Sequence, residues 1–143
     1  MRKDPRITVS DSIINEQFNF AMSIMMQTDL ANKSVIEIRE IKEKLYDLLS
    51  SSSAAKSKKI KSLIYDLEKI ESNIYQVNNQ SGQDPLNFPI KVNNRLAYLR
   101  KSVESGDGLP TSGSVEVFEI LKNELSVYTK ELEKLKIKIK AFI

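Results

Sequence analysis

The stretch IKSLIYDLEKIESNIYQV, residues 60–77, decides the fold. Its apolar residues alternate spacings of three and four, and the residues between them are largely charged or polar. The apolar set is Ile60, Leu63, Leu67, Ile70, Ile74 and Val77. That spacing places the set on one face of an α-helix. We therefore predict an amphipathic helix over about residues 54–78, with ordered structure beginning nearer Lys58 or Ile60 because lysines oppose the dipole of a helix start.

Three other segments carry the same periodicity. The first covers residues 10–49, with Ser10 or Thr8 as its expected N-cap. A short third helix is expected to begin near Pro89, where a proline loses no hydrogen bond, and the fourth follows a cap at Thr111, Ser112 or Ser114. The apolar stripe predicted for the first helix is Ile14, Phe18, Ala21, Met25, Thr28, Val35, Ile38, Ile41, Leu45 and Leu48.

Turn signals separate these helices. They are the four serines of residues 50–53, the polar run that ends in Gly82, Pro85 with Pro89, and the Gly-rich segment 105–110. We predict an all-α fold, an antiparallel up-down-up-down four-helix bundle with a long first helix and a short third helix. The bundle would occupy residues 10–143 and follow a linker at residues 1–9. In that topology the start of the first helix and the end of the fourth share one end.

Composition excludes several kinds of chemistry. The chain has 143 residues, 41% of them apolar, a net charge of +3, and no Cys, His or Trp. Thiolate and imidazole metal sites, Cys nucleophiles and His-based triads are therefore ruled out. The acidic pairs look like solvent-facing partners of lysines, and we expect no charged residue inside the apolar stripes. We accordingly expect no catalytic residues, metal or cofactor.

We also expect neither nucleic acid nor a membrane span. The densest basic run, Lys56 to Lys61, has no interleaved aromatic residue and suits a solvated helix start. No stretch approaches 18 uncharged apolar residues, and the basic start is not followed by the apolar region of a signal peptide.

Two segments are candidates for function. One is the proline-rich connection, which suits either a ligand-binding loop or, as we favour, a structural crossover with Leu86 or Phe88 plugging the bundle end. Its candidate residues are Asp84, Pro85, Asn87, Pro89, Asn93 and Asn94. The other is the segment 18–26, which is apolar around most of the helix and suits a core end or an interface equally. The candidate interface residues are Phe18, Phe20, Met22, Met26, Phe142 and Ile143, expected together at one end of the bundle.

Residues 81–99, SGQDPLNFPIKVNNRLAYL, followed by GLPT at 108–111 and FEIL at 118–121, carry a family resemblance. They resemble the C-terminal helical region of large bacterial secreted proteins with BNR-type or sortilin-like β-propellers, often described as glycosyl hydrolases. The resemblance implies a non-catalytic accessory domain of a secreted or periplasmic protein. Its partner would be the upstream propeller, where any active site would lie. The alternative is a free-standing cytoplasmic helical adaptor that homodimerises through unpaired helix faces.

Overall fold

The computed structural model describes Arg6 and residues 8–79 and 81–142, and these contain four α-helices and no strand. The helices are α1 (Asp11–Ser50), α2 (Ala54–Ile74), α3 (Val92–Val103) and α4 (Ser112–Phe142), with a short 3-10 helix at Asp84–Leu86. The predicted all-α bundle of four helices, with a long first and a short third member, is confirmed.

Serine and threonine side chains define two helix starts. The Ser10 hydroxyl accepts a hydrogen bond from the Ile13 amide at 3.3 Å, so Ser10 is the N-cap of α1. Thr111 does the same for the Ser114 amide at 3.1 Å at the start of α4. Two other boundaries differ from expectation. Helix α2 begins at Ala54, despite the unfavourable lysines, and α3 begins at Val92 rather than near Pro89.

Helices α2 and α3 both run antiparallel to α1, which differs from the expected alternation of directions. In α2, Glu68 contacts Tyr46 and Glu71 contacts Arg39. In α3, the side-chain amide of Asn93 lies 3.4 Å from the Asn32 side-chain oxygen, and the backbone carbonyl of Val103 lies 2.6 Å from the side-chain amide nitrogen of Gln17. Residue numbers therefore fall along α1 as they rise through α2 and then α3. The two helices lie one after the other along α1 and point in the same direction.

Helix length explains this arrangement. At about 1.5 Å per residue, α1 is about 60 Å long, whereas α2 is about 32 Å and α3 about 18 Å. Neither short helix covers α1 alone, and the two in succession nearly do.

Helix α4 runs parallel to α1. The rings of Phe20 and Phe118 are 5.4 Å apart near its start, and Lys136 pairs with Glu37 at 2.6 Å near its end. At each level, three helices therefore surround the core: α1 and α4 throughout, with α3 at one end and α2 at the other. The start of α1 and the end of α4 lie at opposite ends, contrary to the expectation from the sequence.

The core draws side chains from all four helices. The fully buried large residues are Ile24, Ile38, Leu45, Ile60, Leu67, Ile74, Val92, Leu96, Leu121, Leu125 and Leu132. In the first half of α1 the core uses Ala21, Ile24 and Ala31, and Phe18 of the predicted stripe is exposed. The buried stripe is therefore displaced from the predicted one over this stretch.

Candidate functional site

The most prominent exposed apolar surface on α1 consists of Phe18, Met22, Met26 and Leu30, which we call the α1 apolar face. Successive members are four residues apart, so they lie along one side of the helix. Met26 is 63% exposed, Phe18 and Leu30 are more than two-fifths exposed, and Met22 is half-buried. The chain has no charged residue between Glu16 and Asp29. This face therefore offers apolar contact without the charges that usually solvate a helix surface.

A groove between α1 and α3 adjoins the face. It has a volume of about 350 Å³, and Met25 and Thr28 line it from α1. From α3 it is lined by Arg100 and Glu104, which form an ion pair at 3.0 Å. Because Met25 is three residues from Met22, the groove and the face are neighbours, and a polar edge borders the apolar surface.

The structure brings together only some of the predicted interface residues. Phe18, Met22 and Met26 share the α1 apolar face. Phe20 instead turns to the core, where its half-buried ring meets Phe118 edge to face at 80°.

The C-terminal candidates do not join this group. Phe142 lies at the opposite end of the bundle, half-buried beneath the Lys56 ammonium at 5.6 Å from its ring centre. Ile143 lies outside the described residues.

The predicted loop motif forms contacts within the chain. The Asp84 carboxylate accepts hydrogen bonds from the Ser81 amide at 2.6 Å and the Ser81 hydroxyl at 2.9 Å. Pro85, Asn87 and Pro89 are exposed. Leu86 is 87% exposed and Phe88 is also exposed, so neither plugs the bundle end as expected.

The asparagines of the motif lie at the start of α3. Asn93 is buried, and its amide nitrogen donates to the Asn32 side-chain oxygen on α1 at 3.4 Å. Its own side-chain oxygen accepts from the backbone amide of half-buried Asn94 at 2.7 Å. The backbone carbonyl of Pro89 accepts a hydrogen bond from the side-chain amide of Gln76 at 2.8 Å. These contacts favour the structural reading of the segment, because they fix where α3 begins against α1.

A buried carboxylate, that of Glu71, joins α2 to α1, which the spacing of apolar residues alone does not predict. The Glu71 side chain is only 5% exposed, with one oxygen 2.7 Å from Arg39 Nε and the other 3.1 Å from Lys42 Nζ. The Arg39 guanidinium also stacks 5.3 Å from the ring centre of Tyr75. The expectation that no charged residue enters an apolar stripe is therefore wrong at Glu71.

This cluster affects its own ionisation. Burial by itself would lower the pKa of the Lys42 ammonium, but its hydrogen bond to Glu71 and the charges of Glu71 and Glu68 raise that pKa above its ordinary value. Both Glu71 oxygens face cations of the other helix. The arrangement therefore joins α2 to α1.

A second buried polar side chain, Gln17, joins the end of α3 to α1. Its amide nitrogen donates to the carbonyl of Val103 at 2.6 Å and also to that of Gly106. Those carbonyls lie at and just beyond the end of α3, where helices lack internal partners. Gln17 therefore caps α3 from α1.

Within the described residues, no group of three or more acidic side chains is placed to hold a metal ion. None of the described helices is long and apolar enough to cross a bilayer. No protein-family model, curated protein or solved structure matches the chain.

Proposed function

We propose that the chain is a non-catalytic interaction domain whose α1 apolar face binds a protein partner. The observation that carries the proposal is the exposure of Met26 and its neighbours within a charge-free run of α1. Clustered apolar surface of this kind is typical of protein contacts, and methionine adapts to the shape of a partner. The buried polar groups, Glu71 and Gln17, join helix to helix, which suits a rigid support.

The resemblance of residues 81–99 extends the proposal to the partner. On this reading the chain is a C-terminal accessory domain of a secreted or periplasmic glycosyl hydrolase-like protein, and the partner is the β-propeller upstream. The alternative remains a free-standing cytoplasmic adaptor in which the same face binds another copy. The two differ in the reading frame before Met1: the first requires a propeller-encoding segment of several hundred residues, and the second a native start.

Methionine oxidation tests the use of the face. In the isolated chain, dilute peroxide followed by mass spectrometry should oxidise exposed Met26 faster than half-buried Met22 and Met25. In the longer protein Met26 should become protected, and Phe18→Ser should restore its oxidation. Ile36→Glu is the matched control, because Ile36 is 56% exposed on the same helix outside the face. Equal oxidation of Met26 in both proteins would exclude docking on the upstream domain.

The adaptor alternative makes a different prediction for the same measurement. Protection of Met26 would then rise with the concentration of the isolated chain, and Phe18→Ser would abolish that rise. Oxidation independent of concentration would remove this alternative.

A further inference from the structure

A groove between α2 and α4 carries several lysines. Lys69 of α2 lines it together with Lys134 and Lys138 of α4, and its volume is about 290 Å³. The carboxylates of Asp66 and Glu131 line the same groove, and all five side chains are exposed. Among the described residues, none of the three lysines forms an ion pair. Their charges are therefore available to a ligand.

Two further lysines extend the groove toward the start of α2. Lys59 lies seven residues before Asp66, which is two helical turns, so it is on the same side of α2. The Lys56 ammonium lies 5.6 Å from the ring centre of Phe142, which is one turn beyond Lys138. We call these five lysines and two carboxylates the α2–α4 basic surface. Its net charge is +3, equal to that of the whole chain, so the remaining charged residues balance.

The opposite flank of this end of the bundle is acidic. Glu40, Glu43 and Asp47 are exposed and lie three and four residues apart, so they share one side of α1. Buried Ile38 and Leu45 lie on the other side of α1, which faces α2 and α4. Positive charge therefore faces outward from α2 and α4, and negative charge faces outward from α1. This separation of charge favours one orientation beside an anionic surface.

Exposed apolar residues adjoin the α2–α4 basic surface on α4. Ile120 and Val127 are 52% and 54% exposed. Ile120, Val127 and Lys134 are spaced seven residues apart, so they lie along one side of the helix. Glu124 lies between the two apolar residues, but its carboxylate pairs with Arg95 of α3 at 2.8 Å. This side of α4 therefore combines apolar contact area with positive charge.

We propose that the α2–α4 basic surface binds the anionic headgroups of a lipid membrane, with Ile120 and Val127 at the headgroup boundary and α1 turned away. The positive charge comes from lysine alone, and lysine binds anions as a point charge without the planar geometry of arginine. Lys59 and Lys69 are ten residues apart, about 15 Å, and the other lysines lie on a second helix. A layer of many headgroups can contact charges that are spread in this way.

The same surface is less suited to nucleic acid. Single strands bind through aromatic side chains on which bases stack. The aromatic ring in contact with these lysines, that of Phe142, is half-buried beneath Lys56. The inference does not rest on the proposed function, because it concerns α2 and α4, whereas the α1 apolar face lies on another helix.

The charge of the surface sets the strength of binding. Each lysine near an anionic membrane raises the affinity about fivefold, and the two carboxylates offset part of that gain. Glu116, also exposed on α4, is eighteen residues from Lys134, about 27 Å along the helix, which is too far to cancel it. Binding is therefore weak, reversible and sensitive to salt.

Co-sedimentation of the full chain with lipid vesicles tests the proposal. Vesicles of equal parts phosphatidylglycerol and phosphatidylcholine should bind the chain at low salt and release it in molar salt. Vesicles of phosphatidylcholine alone should not bind it. K134Q/K138Q should weaken binding to the anionic vesicles about twenty-five-fold, because it removes two lysines from the surface.

K44Q/K140Q is the matched control. It removes the same charge from the same end of the bundle, but from the groove between α1 and α4. It should weaken binding less than about threefold, because those lysines face away from the lipid and are screened. Unchanged helix content by circular dichroism verifies that both variants are folded.

Three outcomes would overturn the inference. The first is no binding to the anionic vesicles, and the second is equal binding to neutral vesicles. The third is an equal loss in the two double variants, which would show an effect of net charge without a defined surface. Binding to a deoxythymidine oligonucleotide at the same salt, without binding to vesicles, would assign the surface to nucleic acid instead.

Tryptophan fluorescence tests the orientation. The chain has no tryptophan, so each introduced one is the only one present. V127W should shift its emission to shorter wavelength when anionic vesicles are added, because its ring enters the membrane interface. I36W is the matched control, since Ile36 is 56% exposed and lies one turn before Glu40 on the acidic side of α1. Its emission should stay unchanged, and an equal shift in both variants or a shift in I36W alone would refute the orientation.

Discussion

Replacing Glu71 by Gln removes the negative charge at the centre of the α1–α2 contact while keeping nearly the same shape. The Lys42 hydrogen bond is 3.1 Å long, and both side chains are largely buried, at 18% and 5% exposed. A buried hydrogen bond to a charged group contributes about 1.5–3 kcal/mol. The Arg39 contact is shorter, at 2.7 Å, but that side chain is 54% exposed, so its share is about 0.2–1 kcal/mol. We therefore expect E71Q to lower the free energy of unfolding by about 2–4 kcal/mol.

Urea denaturation of the monomer, followed by circular dichroism, measures this loss. Glu68→Gln is the matched control, because Glu68 is 3.4 Å from Lys42 but 48% exposed, and its loss should stay within about 0.5 kcal/mol. In K42M/E71Q the combined loss should be smaller than the sum of the single losses, since neither charge is left buried alone. A loss below about 0.5 kcal/mol in E71Q would refute the view that this cluster holds α2 on α1.

Two further predictions concern the core and the alkaline range. Leu125 is fully buried, so L125A should lower the free energy of unfolding by about 2–5 kcal/mol in the same urea assay. The control I36A, at an exposed position, should change it by no more than about 0.5 kcal/mol. Equal losses in the two variants would mean that Leu125 does not face the core. The pKa of Lys136 is raised by its hydrogen bonds to Glu133 and Glu37. The stability from this shift is complete below the unfolded pKa of about 10.4 and is lost as pH rises through the higher folded pKa. Urea titrations across that range should therefore show a shallower alkaline decline in K136M, and an identical decline would contradict the assignment.

Local patterns predicted the helices well. The three-four spacing of Ile60, Leu67 and Ile74 is enough to mark a helix and its buried side, and the hydroxyls of Ser10 and Thr111 mark two helix starts. These signals depend only on residues within one turn or two of each other. They can therefore be recognised in the sequence before any tertiary contact is known.

The directions of the helices and the candidate site were harder to predict from the sequence. An apolar stripe shows which side of a helix is buried but not which helix covers it, so the stripes do not show that α3 follows α2 along α1 in the same direction. In the apolar segment 18–26, periodicity alone did not separate Phe20, which packs on Phe118, from exposed Phe18. Glu71 did leave a signal, because it continues the spacing of Ile64, Leu67 and Ile74. Its partners, Arg39 and Lys42, lie about thirty residues away, and only the fold shows them.

Because α2 and α3 follow each other along α1, the bundle consists of two short three-helix units placed end to end. Both units contain α1 and α4. Different polar contacts stabilise each unit: Glu71 joins α2 to α1, and Gln17 and Asn93 join α3 to α1. The exposed part of the connection, residues 81–88, therefore does not determine where α2 or α3 lies along α1. Added residues there would lengthen a surface loop at about 0.6 kcal/mol for each doubling of its length. This is the place where the chain can accept an insertion and keep both units intact.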